Sequence, residues 1–204
     1  MQKRTHWKIT TEQMTTMAIL AGIASVLFLI EVPIVAFYKL DFSNLPVLLG
    51  TFAFGPIEGL MILGVKSLIG WAHTTSQGVG EVADFLVGAA MVIPTGLLYQ
   101  KNKSRKRAIL GMAVGTVAAT VAAAAANLWL LIPFFSKAFH LPLEQIVAMG
   151  QQFIPALDSI EKFVLMITTP FNLLKWVALS ILCALIYKPL SPLLRQVGKR
   201  QKRN

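Results

Sequence analysis

The chain has 204 residues, of which 55% are hydrophobic and 14% charged, and its mean hydropathy is +0.65. Soluble domains are about one-quarter charged and rarely hold several apolar runs of about 20 residues, so the composition describes a polytopic membrane protein forming one compact bundle. The net charge of +10 excludes little by itself, but its placement argues against nucleic acid: the basic clusters flank apolar segments and have neither interleaved aromatics nor a recognisable module.

In chain order, residues 1–13 carry Lys3, Arg4 and Lys8 and read as a basic cytoplasmic N-terminus. An apolar block over 14–37 follows, and its Met14 to Ile30 run is too long for a signal-peptide core and lacks a clear cleavage site. It reads as a retained first helix. Within it Ala18 and Gly22, and Ala21 and Ser25, stand four apart, a spacing of small residues that lets backbones approach closely. Next comes a polar interruption, Lys39-Leu40-Asp41-Phe42-Ser43-Asn44-Leu45-Pro46. Such residues are costly between lipid-soluble segments and mark a binding site or re-entrant loop.

Further apolar blocks cover 45–72, 79–100, 108–136 and 163–187. The basic loop Lys101, Lys103, Arg105, Lys106, Arg107 and the basic tail from Lys188 belong on the same side as the N-terminus by the positive-inside rule. An even number of crossings must then separate the N-terminus from that loop, although only three blocks lie between. The 45–72 block contains the breaker Gly55-Pro56 and is the one that must cross twice. Its first piece has about 10 residues, roughly 15 Å of helix against a core of about 30 Å, so it must be tilted or sheltered. The expectation is an all-α membrane protein. Its six-helix transmembrane bundle over 14–188 has a short second helix, cytoplasmic N and C termini, and a basic tail over 189–204. Five spans with a weak topology signal is the alternative. The outer loop 137–162 has room for a short amphipathic segment.

Polar residues gather in the outer half or middle of this bundle. Lys66, Glu81, Asp84, Asn127, Asn172 and Lys175 come from four helices, and the 38–44 loop can fold over them. Asn172 and Lys175 share a helix face, and Pro170 before them frees a backbone carbonyl. A lysine at this depth needs a cavity or a partner, so pairing of Lys175 or Lys66 with Asp84 is the structural alternative to a ligand role. Glu58 reads as an inner-side interfacial or capping residue. Gly111 and Gly115 form a packing face, and the tryptophans read as anchors or packing, with room for one or two to flank a flat ligand. Cys183 reads as a packed thiol. The sequence contains no GxxxxGK[ST], HExxH or GxSxG, no His/Cys/carboxylate spacing suited to a metal and no detectable repeat. An ATPase, an intramembrane enzyme and an internally duplicated transporter are therefore not supported.

The segment 39–46, then Phe52-Ala53-Phe54-Gly55-Pro56, Gly78-Val79-Gly80-Glu81-Val82-Ala83-Asp84-Phe85, the Asn127 to Pro133 stretch and Pro170-Phe171-Asn172-Leu173-Leu174-Lys175 run in order through nearly the whole chain. In this combination the sequence resembles the riboflavin-specific substrate-binding components (S components) of energy-coupling-factor vitamin importers. The resemblance implies six helices with a short second one, no catalysis and no cofactor, and riboflavin bound from outside. It implies as partners a transmembrane T component and two cytoplasmic ATPases in a bacterial plasma membrane. Carried over residue by residue, it implies ligand contacts from Asn127, Asn172 and Lys175, and from Leu40, Asp41 and Ser43 in the covering loop. Asp84 stands where the family motif often has a neutral amide, and would either bond ribityl hydroxyls or neutralise a lysine. Ala18, Ala21, Gly22 and Ser25 occupy the place of the T-component contact. Flavin mononucleotide, with Lys39, Lys137 or His140 at its phosphate, another vitamin, and a non-transport scaffold are the alternatives.

Overall fold

In the computed structural model the described residues are 9–35, 38–74 and 76–200, with side chains described to Tyr187 and not at Val35. The basic residues at 3, 4 and 8, Trp7, and 201–204 lie outside the described residues, as do the side chains of the basic tail.

Helix α1 (Thr11–Leu29) starts at a capping box in which Thr10 and Gln13 exchange side-chain and backbone hydrogen bonds. It ends earlier than the apolar block suggests. Val32-Pro33-Ile34-Val35 is β-branched around a proline, which suits a strand and cannot continue a helix. Strand β1 (Val32–Val35) pairs antiparallel with β2 (Tyr38–Leu40), with an irregularity between Pro33 and Val35. A hairpin thus stands where one continuous apolar segment was expected.

The breaker divides the next block as expected. Helix α2 (Asn44–Ala53) has 10 residues and α3 (Pro56–Trp71) has 16. Gly55 joins them at φ +143°, a conformation closed to residues with a Cβ, and Pro56 opens α3. Most of α2 is buried: Val47, Leu48, Phe52 and Ala53 are enclosed by α1, α3, α4 (Val79–Lys101) and the last helix. Shelter by neighbours is what lets so short a helix sit among apolar ones. Glu58 is buried in the first turn of α3, beside the corner where Gly55 approaches Gln100.

Helix α5 (Arg105–Ala126) passes through a π-helical turn (Asn127–Leu131) into α6 (Ile132–Phe139). After α7 (Leu143–Gln151), the short α8 (Ile160–Phe163) passes through a second π-helical turn (Val164–Thr168) into α9 (Thr169–Arg200). The two turns share a cause. Pro133 and Pro170 each lack an N–H and crowd the carbonyl four residues back, at Trp129 and Met166, and both lie inside the π turns. The amphipathic segment expected in the outer loop is α7. Helix α9 continues into the stretch expected to be tail.

Four helical stretches among the described residues are long and apolar enough to cross a membrane: Thr11–Leu29, Val79–Lys101, Arg105–Phe139 and Ile160–Tyr187. The tightest packing joins α4 to α5. A Cβ on Gly111 would lie 2.9 Å from the Thr95 carbonyl oxygen, and one on Gly115 would lie 2.7 Å from Met91 Sδ. The α5 glycines therefore pack inside the bundle, and Cys183 lies buried in the same core. On α1 the small residues divide: Ala21 and Ser25 are buried, while Ala18 and Gly22 face outward and nothing lies within 4 Å of a Cβ on Gly22.

Overpacking of this kind costs about 1–3 kcal/mol. Gly111→Val is expected to lower the thermal unfolding temperature of the detergent-purified chain by several degrees, and Gly22→Val to leave it unchanged. Tryptophan fluorescence during a thermal ramp checks both.

Candidate functional site

A cavity of about 490 Å³ opens between the hairpin, the α3–α4 connection, the start of α4, the first π-helical turn, α6 and α9. Its volume is that of a small-molecule pocket. One side is apolar and aromatic with amides set into it: Leu131, Phe135, Phe139, Phe171 and Trp176 surround Asn127 and Asn172. The more polar part of the lining comes from the end of α1, the hairpin, the α3–α4 connection and the start of α4, where Glu31, Lys39, His73, Ser76, Glu81 and Asp84 stand among Phe28, Leu29 and Val87.

The covering segment is held down by charge. Lys175 Nζ donates to Asp41 Oδ2 at 2.8 Å, which ties the β2–α2 connection to α9. Ser43 donates from its backbone N to Asp41 Oδ1 at 2.9 Å, and its hydroxyl donates to the same oxygen. Lys66 is fully buried. It donates to Ser43 Oγ at 2.9 Å and Asn44 Oδ1 at 3.0 Å, and its charge lies 2.6 Å from Asp84 Oδ2. Asn44 Nδ2 donates to Asp84 Oδ1 at 2.9 Å and closes the loop, while Phe28 presents its ring 5.0 Å from the Lys66 ammonium. Burial alone would raise the Asp41 carboxyl, but the charges of Lys175 and Lys66 outweigh it and hold the group down at about 2.

Five of the seven expected ligand residues line this cavity: Asp41, Asp84, Asn127, Asn172 and Lys175. Ser43 is buried, donating to Asp41 and accepting a hydrogen bond from Lys66, and Leu40 is half-buried in β2; neither is part of the wall. The pairing of Lys66 with Asp84 matches the structural alternative, whereas Lys175 takes Asp41 instead. Glu58 lies outside the cavity. Trp71 and Trp129 are exposed, while Trp176 is buried against the cavity with an indole N–H that has no acceptor among the described residues.

Tyr38 is the functional residue that sequence reasoning missed. Its hydroxyl donates to Asn127 Oδ1 at 2.8 Å and lies 2.6 Å from Thr168 Oγ1, and its ring stacks on Phe171 at 5.3 Å. It thereby joins the two π-helical turns, one starting at Asn127 and the other ending at Thr168. Asn127 Nδ2 turns back to the Ala123 carbonyl at 2.8 Å, and Asn172 Nδ2 to the Thr168 carbonyl at 2.9 Å. Both amides are fixed in orientation and retain unused capacity, one N–H each together with carbonyl lone pairs. The signal for Tyr38 is its place one residue before the polar interruption.

The chain matches the family described as ECF transporter, substrate-specific component, over residues 12–187. It belongs to that family. It is similar to the riboflavin transporter RibU of Staphylococcus aureus, at 29% identity over 91% of this chain and 94% of the relative. The riboflavin transporter FmnP of Bacillus subtilis is 25% identical over 91% and 95% of the two chains. Among solved structures, one described as the S component of a bacterial ECF transporter superposes with a TM-score of 0.71 at 29% identity, covering 90% of this chain and 97% of that one.

A carboxyl depressed in the folded state lends stability above its ordinary value near 4 and loses it as pH falls toward 2. Asp41→Asn leaves Lys175 unpaired, and is expected to cost about 3 kcal/mol at neutral pH. The gap in unfolding temperature between the two proteins should hold above pH 4 and close as pH falls toward 2, checked by thermal ramps in buffers spanning that range.

Proposed function

We propose that this chain is the riboflavin-binding subunit of an energy-coupling-factor importer. It captures the vitamin at the outer face of a bacterial cell membrane and passes it inward together with a transmembrane T component and two ATPase subunits. The observation that carries the reading is the pair of oriented amides, Asn127 and Asn172, set at one end of an aromatic cavity beside Lys175. Isoalloxazine is flat and largely apolar, with an acceptor–donor–acceptor edge. Two fixed amides with spare donors and acceptors complement that edge, and Lys175 can donate to a ring carbonyl or a ribityl hydroxyl. Relatives named for riboflavin transport along nearly their full length support the same ligand.

The short α2, sheltered by its neighbours, and α3, with an exposed apolar face, supply the two additional crossings that put both termini in the cytoplasm. The bundle spans 14–188 between basic flanks. Its outward small residues Ala18 and Gly22 offer a surface for the T component, with Ala21 and Ser25 setting the packing behind them. The sequence has no P-loop, so ATP hydrolysis belongs to the partners.

Of the cations considered for a phosphate, Lys39 lines the cavity and is paired with Glu31, while Lys137 and His140 are not part of its wall. This favours the vitamin over flavin mononucleotide.

Quenching of flavin fluorescence by the purified chain tests the reading. Tight one-to-one binding of riboflavin is expected, with Asn172→Ala and Asn127→Ala each raising Kd at least about tenfold, as loss of a buried hydrogen-bond partner requires. A scaffold would show damaged stability in these variants and no flavin binding in the parent.

A further inference from the structure

Each lysine in or behind the cavity already has a carboxylate. Lys39 pairs with Glu31, Lys175 with Asp41, and Lys66 with Asp84. One carboxylate remains, Glu81 in the first turn of α4. It lines the cavity while only 6% exposed. Among the described residues its partners are hydroxyls: Thr74 Oγ1 donates to Glu81 Oε2 at 2.8 Å, and Ser76 Oγ donates to the same oxygen at 3.0 Å. The backbone reinforces this arrangement, since Thr74 Oγ1 accepts from the N–H groups of Ser76 and Gly78 and Ser76 Oγ accepts from that of Gly80. The carboxylate is thus held by two hydroxyls that the backbone orients, and among the described residues no cation is paired with it.

We infer that Glu81 makes this site selective for a flavin with an uncharged polyol side chain and excludes the 5′-phosphate. The inference rests on the riboflavin reading. With the isoalloxazine on the aromatic and amide side, the side chain extends toward the more polar part of the lining, where Glu81 stands. A carboxylate already accepting from two hydroxyls is suited to accept from ribityl hydroxyls as well, since its oxygens offer about four lone-pair sites. A phosphate carries about two negative charges at neutral pH and would meet a carboxylate with no cation paired to it among the described residues, in a partly dehydrated cavity where like charges are weakly screened. Specificity then comes from repulsion of the wrong ligand as well as attraction of the right one. The exposed His73 is the other titratable group on this wall outside the three pairs, and lies at the rim.

The test is titration of the full-length chain in detergent with riboflavin, with flavin mononucleotide and with riboflavin 5′-acetate, an uncharged ester that also lengthens the tail. The parent is expected to bind riboflavin tightly, the acetate within about threefold of it, and the phosphate at least about tenfold more weakly. Glu81→Gln keeps an oxygen acceptor and removes the charge; it should narrow the riboflavin-to-phosphate ratio to about threefold. Equal binding of riboflavin and its phosphate by the parent would overturn the inference and leave the riboflavin reading intact. Equal rejection of acetate and phosphate would also overturn it, by showing that size decides. Binding of neither riboflavin nor its phosphate by a folded parent would overturn both. Should Glu81→Gln fail to fold, Glu81→Ser takes its place in the same titrations.

Discussion

Two ammonium groups inside an apolar bundle dictate where the chain between the hairpin and α2 can lie. An unpaired lysine at such a depth is costly, and pairing removes the cost only where hydrogen bonds also satisfy the remaining groups. Lys66 on α3 and Lys175 on α9 both meet this condition through one short connection: Asp41 takes Lys175, Ser43 and Asn44 take Lys66, and Asp84 on α4 completes the set. Three helices and the covering segment are therefore tied by one network of charge. The cavity beneath has a defined roof because that network has few other ways to be satisfied.

The walls depend on a second device. Each half of the aromatic side is carried by a helix interrupted by a π-helical turn, and each turn answers to a proline two residues beyond it. The widened turns begin and end at the residues that matter, Asn127 and Thr168. Tyr38 from the hairpin bridges them with one hydroxyl, so roof and walls share a hydrogen-bond junction. Movement of the hairpin would cost Asn127 the hydrogen bond at its Oδ1 and leave the one from its Nδ2 to Ala123.

Much of this was legible in the chain because membranes impose few solutions. The count of apolar blocks against basic loops led to a divided 45–72 segment, and Gly55-Pro56 does divide it into α2 and α3. Intramembrane Asn127, Asn172, Lys175, Asp84 and the loop residue Asp41 stood out as polar groups too expensive to be incidental, and they converge on one cavity. What escaped was what hydropathy cannot register. The hairpin is built from Val32, Pro33 and Ile34, as apolar as the helix before it, and was absorbed into the same block. Tyr38 is amphipathic and entered only as the first residue of the 38–44 loop. Which lysine takes which aspartate is decided by helix rotation and register, and the sequence reading offered Asp84 to either lysine where the structure gives Lys175 Asp41. The division of Ala18 and Gly22 from Ala21 and Ser25 has the same origin, since spacing of four marks a face without saying which way it points.

The central claim is that residues 38–44, pinned by buried charge, roof the site in which riboflavin is bound. Hydrogen–deuterium exchange of the full chain with and without riboflavin tests it most directly. The account predicts added protection in peptides covering 38–44, 127–135 and 168–176, and none in the loop over 101–107. Unchanged exchange in 38–44 under saturating riboflavin, with protection arising elsewhere in the bundle, would contradict it.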